Sequence, residues 1–217
     1  MSVNRIVQAF DRVELGASSG GDYLNDPKHL LFSLSRYKFV SRMLTGFDDV
    51  LEIGCGDGFG TALVSAVVKR LTAVDLDSRQ IEQNIETNPY ANRIEFLTHD
   101  ILRGSVDGEF DAVFSLDVLE HIENEYEFRF MANLTASLKS DGVCMIGMPS
   151  LQSQAYASRL STLGHVNCKT GDELKDLMEK FFRRVFIFSM NDEVLHTGFH
   201  PMSHYLIALC VSPIESF

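Results

Sequence analysis

Short apolar runs and longer amphipathic segments alternate along the chain. The apolar runs have strand length, and they are predicted as strands at residues 50–53, 71–75, 142–149, 185–189 and 205–211. Two further strands, each with the turn that follows it, are predicted within residues 94–101 and 110–122. The amphipathic segments are predicted as helices at residues 26–44, 61–69, 78–86, 123–139 and 172–180. Strands that alternate with helices indicate an α/β fold, in which a parallel sheet carries helices on both faces and binds ligands beyond the carboxyl ends of its strands.

The first apolar run leads into a glycine-rich segment, which reads Val50-Leu51-Glu52-Ile53-Gly54-Cys55-Gly56-Asp57-Gly58-Phe59-Gly60. Glycines allow a sharp turn and let bare backbone N–H groups approach a ligand. The segment therefore predicts a loop that binds an adenosine-type cofactor. A dinucleotide fingerprint would place a third glycine where this chain has Phe59, which disfavours NAD.

This segment resembles motif I of the class I S-adenosylmethionine-dependent methyltransferases, E/D-x-G-x-G-x-G, through Glu52, Gly54, Gly56 and Gly58. Three later segments resemble the family's following strands in the required order: residues 71–75, 94–101 and 110–122. The last of them contains the D-x-L-E-H form of motif IV. The close resemblance spans residues 36–149. It implies a three-layer sandwich with a seven-stranded, mostly parallel twisted sheet, whose antiparallel last strand is inserted between its neighbours.

The resemblance also implies S-adenosylmethionine as cofactor and assigns roles at the strand ends. Asp75 would accept from the ribose hydroxyls, and Asp100 would accept from the adenine amino group. The remaining residues expected to bind the cofactor are Arg36, Glu52, Gly54, Gly56, Gly58, Leu76, Ile101, Ser115 and Leu116. Arg36 would pair with the cofactor carboxylate, because a guanidinium fork binds a carboxylate bidentately. Alternatively, Arg36 is a solvated charge on a covering helix.

Two histidines are the candidate catalytic residues. His121 follows motif IV where the family places groups that face the substrate, and His165 follows the fifth strand. A histidine near its free pKa of about 6.5 suits a general base. His121 could instead cap a helix or bond a backbone carbonyl.

The spacing of Asp117, Glu120 and His121 leaves a metal site open as an alternative. Residues at i, i+3 and i+4 share one face of a helical turn, and His165 would be the distant fourth ligand. Similar arrangements hold a divalent ion in some methyltransferases of small RNAs and of the ubiquinone pathway. Many relatives with the same letters lack a metal, so the expectation is a site without one.

His196 and His200 are expected to contact the acceptor, because residues 190–204 would return across the cofactor side of the sheet. Pro201 prevents one continuous helix from presenting these imidazoles together, so substrate contact is favoured over metal chelation. Residues 150–170 form a second expected insertion on the same side.

Length, charge and cysteine spacing limit the number of domains and the kinds of partner that are expected. The 217 residues fit one domain, with residues 1–45 as an N-terminal cap segment. The net charge of −11 disfavours nucleic acid as a partner. No signal peptide or membrane span is recognisable, so a cytoplasmic monomer or homodimer without a membrane partner is expected. The four cysteines lack the spacing of a zinc or redox site and are expected to be reduced.

The sequence thus predicts a methyltransferase that uses S-adenosylmethionine and modifies oxygen or nitrogen of a small polar metabolite. Three alternatives remain open. They are a metal-dependent O-methyltransferase that uses Asp117, Glu120, His121 and His165, an NAD-dependent oxidoreductase, and a protein that binds the cofactor without catalysis.

Overall fold

The structure is a computed structural model that describes residues 13–214. Its strands are β1 Asp49–Ile53, β2 Arg70–Asp75, β3 Ile94–Thr98, β4 Phe110–Leu116, β5 Leu138–Pro149, β6 Phe182–Asn191, β7 Val194–His196 and β8 Tyr205–Pro213. Its α-helices are α1 Ala17–Asn25, α2 Pro27–Met43, α3 Thr61–Ser65, α4 Ser78–Thr87, α5 Glu127–Ala136, α6 Arg159–Gly164 and α7 Gly171–Met178. Short 3-10 helices lie at Leu119–His121, Gln152–Tyr156 and His200–Met202.

All eight strands form one sheet in the order β3-β2-β1-β4-β5-β8-β6-β7. The first five strands pair in parallel, and β8 is antiparallel to both of its neighbours, β5 and β6. The predicted insertion of an antiparallel last strand is therefore confirmed. The sheet has one strand more than the seven expected, because residues 190–196 turn back on β6 as a hairpin instead of running freely along the rim.

Alternate residues of the central strands point to opposite faces of the sheet and build two cores. Leu51 and Val113 belong to the core that includes residues of α5 and α7. Val50 and Phe114 belong to the core that includes residues of α2, α3 and α4. This period of two is the pleat of a strand buried on both sides, as the continuous apolar runs predict.

Two predicted helices are shorter than expected. The helix after the glycine loop ends at Ser65 instead of Lys69. The helix predicted for residues 123–139 covers only Glu127–Ala136, because Leu138 already pairs with Phe110 in the sheet. Leu138 continues the helical apolar spacing from Leu134, so only the tertiary pairing decides its conformation.

The N-terminal cap segment is represented by α1 and α2, and its residues 1–12 lie outside the described residues. The predicted start of α2 is confirmed, since the Asp26 side chain accepts a 3.1 Å hydrogen bond from the Lys28 N–H and Pro27 is the first helical residue. Within residues 13–214, no helix has the length and apolar character needed to cross a bilayer.

Candidate active site

The glycine loop follows β1 and needs its glycines for two different reasons. Gly54, Gly56 and Gly58 have φ angles of +80°, +52° and +66°, which disfavour residues with a Cβ atom. A Cβ on Gly54 would lie 2.2 Å from Cγ2 of Val118, so the β4 loop packs directly on this glycine. A Cβ on Gly56 would meet nothing within 4 Å, so the backbone there borders open space.

Side chains from β2 and α4 hold the loop in this shape. One Asp75 carboxylate oxygen accepts a 3.0 Å hydrogen bond from the Gly56 N–H. Asn84 and Asn88 donate from their amides to the carbonyls of Gly56 and Gly58, at 2.8 and 3.0 Å. The two asparagines are absent from the sequence-based site. Asn84 lies on the helix predicted at residues 78–86, whereas Asn88 follows α4 as its C-cap residue.

Glu52 lies at the carboxyl end of β1 and is fully buried. Its Oε1 accepts a 2.7 Å hydrogen bond from the hydroxyl of Tyr37 on α2. Burial raises the pKa of Glu52 to about 7, against the opposing effect of the hydroxyls of Tyr37 and Thr61. The Tyr37 ring also covers Gly60, where a Cβ would lie 2.3 Å from it. The hydrogen bond between Glu52 and Tyr37 therefore holds the Tyr37 ring against the end of the glycine loop.

The other cofactor candidates at the strand ends differ in exposure. Leu76 has 76% of its surface exposed beside Asp75, whereas Ile101 is buried. Asp100 accepts a 3.0 Å hydrogen bond from the Leu102 N–H and pairs with Arg103 at 3.2 Å. Asp75 thus ends β2, Leu76 follows it and Asp100 follows β3, on the edge of the sheet that carries the glycine loop.

The side chains of Ser115 and Leu116 are engaged inside the sheet. The Ser115 hydroxyl donates a 2.8 Å hydrogen bond to the carbonyl of Ile53, which ties β4 to β1. Leu116 is buried and lies over Gly147, where a Cβ would be 2.6 Å from its Cδ2 atom. Both residues are therefore placed to contact a ligand only through their backbone.

Arg36 on α2 forms a bidentate ion pair with Asp117, with Nη1 at 2.8 and 2.7 Å from the two carboxylate oxygens. The guanidinium carbon lies 3.9 Å from the ring centroid of Tyr205 at the start of β8. Asp117 has a φ of +58°, which is uncommon for a residue with a side chain. Sequence reasoning missed Tyr205, because nothing in its local pattern distinguishes it from an ordinary strand residue.

Glu120, His121 and His165 come together next to this pair. Their potential ligand atoms all lie within 4.8 Å of one another, and the two imidazole rings stand edge to face with centroids 5.2 Å apart. Nδ1 of His121 lies 2.8 Å from the carbonyl oxygen of Gly164. Since a carbonyl only accepts, Nδ1 carries the proton and Nε2 of the neutral ring is left as an acceptor.

Burial in this cluster disfavours the charged forms of Glu120 and His165. Burial and the charge of Asp117 raise the pKa of Glu120 well above its usual range. Burial and the neighbouring His121 lower the pKa of His165. In the described part of the chain, neither carboxyl oxygen of Glu120 has a hydrogen-bond partner. A buried carboxyl without partners is costly, so this one is suited to a ligand.

A network around Lys169 fixes the loop that carries His165. The N–H groups of Val166 and Asn167 both donate to the carbonyl of Glu120, at 2.8 and 3.0 Å. The Lys169 ammonium pairs with Glu127 of α5 at 2.7 Å and donates to the Asn167 side chain at 2.9 Å. These contacts join residues 165–169 to the motif IV turn.

The contacts of His196 and His200 lie outside the cluster of Glu120, His121 and His165. Nε2 of His196 is 2.9 Å from the Asn191 side-chain oxygen, and its Nδ1 accepts from the Gly198 N–H at 3.0 Å. His196 therefore uses both ring nitrogens within its own hairpin. Nε2 of His200 lies 3.5 Å from an Asp172 oxygen at the start of α7. Neither His196 nor His200 is in ring contact with His121 or His165, which pair with each other.

A cavity of about 890 Å³ opens at the opposite edge of the sheet, among the amino ends of β1 to β4. Two cations of its lining, Lys69 and Arg70, are already paired with Asp48 and Asp49. Ligands of open α/β sheets bind at the carboxyl edge, where the glycine loop and the Glu120 cluster lie. The carboxyl edge is therefore the candidate active site.

Residues 51–146 match a family model described as "Methyltransferase domain". A ubiquinone biosynthesis O-methyltransferase of Rickettsia felis is 29% identical over 127 residues, which are 56% of this chain and 48% of that protein. A probable S-adenosylmethionine-dependent methyltransferase of Mycobacterium tuberculosis is 29% identical over 103 residues, 47% of this chain and 36% of that protein. The chain thus spans less than half the length of these two curated relatives.

The fold is shared with solved methyltransferases. The N-methyltransferase NodS from Bradyrhizobium japonicum, in complex with S-adenosylhomocysteine, has a TM-score of 0.64 at 20% identity, over 83% of this chain and 86% of NodS. A TehB-like SAM-dependent methyltransferase from Corynebacterium glutamicum has a TM-score of 0.64 at 17% identity, over 91% of this chain and 100% of that one. The predicted family and Rossmann-like methyltransferase fold are confirmed.

Proposed function

Because this chain belongs to the class I S-adenosylmethionine-dependent methyltransferases, we propose that it binds S-adenosylmethionine at the glycine loop and transfers the methyl group to an acceptor. The acceptor is a small polar metabolite that is methylated on oxygen or nitrogen. The observation that carries the proposal is the loop itself. Gly56 presents bare backbone to open space while its N–H is held by Asp75, the residue expected to bind ribose.

The residues at this edge fit the cofactor. Asp75 and Asp100 offer carboxylate oxygens to the ribose and the adenine amino group, and the exposed Leu76 offers apolar surface for the base. Val118, two residues after β4, packs on Gly54, and Arg36 pairs with the preceding residue, Asp117. The bound cofactor supplies an electrophilic methyl group, and the protein mainly orients the acceptor towards it. Such orientation can contribute about 7–11 kcal/mol to lowering a barrier.

His121 is the general base that we propose for acceptors that must lose a proton. Its Nδ1–H is directed at the Gly164 carbonyl, which leaves Nε2 available to take a proton from an acceptor hydroxyl or amine. His165 stands against it as a neutral second imidazole that helps to hold the acceptor. His196 and His200 are proposed as more distant acceptor contacts.

The test is calorimetric titration of the purified chain with S-adenosylhomocysteine and, separately, with NAD. We expect saturable binding of S-adenosylhomocysteine and no binding of NAD. Saturable NAD binding without a response to S-adenosylhomocysteine would support the oxidoreductase alternative and overturn the proposal. Formation of S-adenosylhomocysteine from S-adenosylmethionine across pooled metabolites then separates an enzyme from a protein that only binds the cofactor.

A metal-dependent O-methyltransferase is the second candidate function, and the geometry of Glu120, His121 and His165 favours it. Their ligand atoms lie within 4.8 Å of one another, and both Glu120 oxygens are without partners among the described residues. Asp117 is not part of this cluster, because both of its carboxylate oxygens bind Arg36. The site would therefore offer three protein ligands instead of the four considered from the sequence.

Chelation distinguishes the two functions. If the first is correct, a chelator leaves turnover nearly unchanged. If the second is correct, turnover stops on chelation and returns with magnesium or zinc, because an essential metal cannot be replaced by a side chain. Glu120→Gln removes the anionic ligand at nearly constant volume, and it should abolish the metal response only under the second function.

A further inference from the structure

We infer that a second cavity, on the helix side of the glycine loop, is a binding site for a small molecule with an apolar body and a positively charged amino group. The volume of this cavity is about 460 Å³. Small-molecule sites in proteins typically have volumes of about 300–1,000 Å³. The part of the inference that links this site to the cofactor rests on the proposed function.

The cavity is separate from the positions proposed for the cofactor. Its walls come from the segment before α1, from α2, from α3 and from α4 with the turn that follows it. The glycine loop contributes Asp57 and Phe59 to the walls, whereas Asp75, Leu76 and Asp100 do not line the cavity. A ligand in the cavity therefore leaves the proposed ribose and adenine positions free.

The walls expose apolar surface that the fold does not cover. Val13, Leu63 and Tyr90 keep 60%, 37% and 42% of their surfaces exposed, and Leu34 and Phe59 also line the cavity. Single exposed apolar residues need no explanation, but several around one concave site are typical of a ligand-binding groove. The lining therefore favours an occupant with an apolar or aromatic body.

The charges on the walls favour a cation over an anion. Among the described residues, the lining contains the carboxylates of Glu14 and Asp57 and no Lys, Arg or His side chain. Asp57 already accepts from the N–H and the hydroxyl of Ser19, at 2.7 and 2.9 Å. Within the described part of the chain, Glu14 is therefore the carboxylate available to a ligand. An anion would be repelled by both carboxylates, whereas an ammonium group can pair with Glu14.

Two side chains of the cavity wall also hold the glycine loop. Asn84 and Asn88 line the cavity, and their amides donate to the carbonyls of Gly56 and Gly58 at 2.8 and 3.0 Å. A ligand packed on these side chains stabilises the loop shape in which Gly56 borders open space. Because coupling between two binding sites is reciprocal, a ligand in the cavity and the cofactor should each strengthen the binding of the other.

The probes for the experiment are phenethylamine and hydrocinnamate, which share a phenyl ring and a two-carbon chain but carry opposite charges. NMR titration of the isotope-labelled chain should show saturable binding of the amine and no saturable binding of the carboxylate. Calorimetric titration with S-adenosylhomocysteine should then be carried out with and without saturating phenethylamine. The amine should raise the affinity for S-adenosylhomocysteine at least about fivefold.

Leu63→Arg places a cation and a long side chain in the cavity, and it should abolish both the binding of phenethylamine and its effect on S-adenosylhomocysteine. Leu31→Arg is the matched control, because Leu31 is also an exposed helical leucine but does not line the cavity. Thr87→Arg repeats the test from α4, so the result does not depend on the folding of one variant. Unchanged affinity for S-adenosylhomocysteine without the amine shows that a variant is folded.

The inference is overturned if phenethylamine does not bind, if hydrocinnamate binds as tightly, or if Leu63→Arg and Thr87→Arg bind the amine as Leu31→Arg does. It is also overturned if the amine leaves the affinity for S-adenosylhomocysteine unchanged, or lowers it by competing for the cofactor site. Failure of the wild-type chain to bind S-adenosylhomocysteine without the amine would instead contradict the proposed function. The NMR titrations would in that case still decide whether the cavity is a binding site.

Discussion

The Tyr37 hydroxyl on α2 donates a 2.7 Å hydrogen bond to the buried carboxyl of Glu52 at the end of β1. This contact joins the covering helix to the strand that leads into the glycine loop. It also places an ionisable group where its charged form is disfavoured, since burial raises the pKa of Glu52 to about 7.

We predict that Glu52 makes folding stability depend on pH. Between its ordinary pKa of 4.5 and about 7, the folded chain keeps a proton that the unfolded chain has released. The free energy of unfolding therefore falls as pH rises through this window, by up to about 3 kcal/mol. Glu52→Gln lacks this titration. Urea unfolding at pH ~4 and pH ~8 should show the variant gaining stability relative to wild type at the higher pH, and a constant difference would show that Glu52 ionises normally.

Gly56→Ala should weaken S-adenosylhomocysteine binding at least about tenfold, because a methyl group would occupy the space next to the ligand. Gly46→Ala is a matched control. Gly46 also has a positive φ, +89°, and its Cβ would also meet nothing within 4 Å, but it lies before β1 and away from the loop. Both variants should lose about 1–2 kcal/mol of stability from backbone strain. Calorimetry should find reduced affinity only for Gly56→Ala, and equal affinities would place the loop outside the cofactor site.

Asp75→Ala should lower the affinity for S-adenosylhomocysteine by at least about tenfold, since charge-assisted hydrogen bonds to the ribose are lost. Asp141→Ala removes the same charge from an exposed position in the first part of β5, so it controls for net charge. An Asp75→Ala dissociation constant equal to that of Asp141→Ala would remove Asp75 from the site.

Lys169→Met should destabilise the chain by about 2–3 kcal/mol, because it leaves Glu127 as a poorly solvated anion. The side chains of this pair are 11% and 20% exposed. Adding Glu127→Gln should recover part of the loss. Lys175→Met breaks an exposed pair with Glu179 and should cost about 0.5 kcal/mol or less. Chemical denaturation of the three variants measures these differences, and equal losses for Lys169→Met and Lys175→Met would refute a special role for the Lys169 network.

His121→Ala should leave the affinity for S-adenosylhomocysteine nearly unchanged and slow methyl transfer about 10²–10⁴-fold, as expected for loss of a general base. Single-turnover assays with the identified acceptor measure the rate. His29→Ala, an exposed histidine on α2, is the control. Wild-type turnover by His121→Ala would make His121 structural, and the base would then be sought among His165, His196 and His200.

The sequence alone located seven of the eight strands, the glycine loop and the acids at the strand ends. These features are local, because an apolar run specifies a buried strand, glycines specify left-handed turns, and an acid directly after a strand lies at its carboxyl end. The antiparallel last strand came from the family resemblance, and the sheet order confirms it.

Only the tertiary structure decided which distant groups meet. Arg36 reaches Asp117 across 81 positions of sequence, and the ring of Tyr205 from the last strand lies under the Arg36 guanidinium. Asp117 therefore pairs with Arg36, and the possible metal ligands that lie together are Glu120, His121 and His165. This pairing could not be predicted from spacing, because a side chain's partner depends on how helices and strands pack against each other. The end of α5 and the β6–β7 hairpin were decided in the same way, because long-range pairing in the sheet overrode the local pattern.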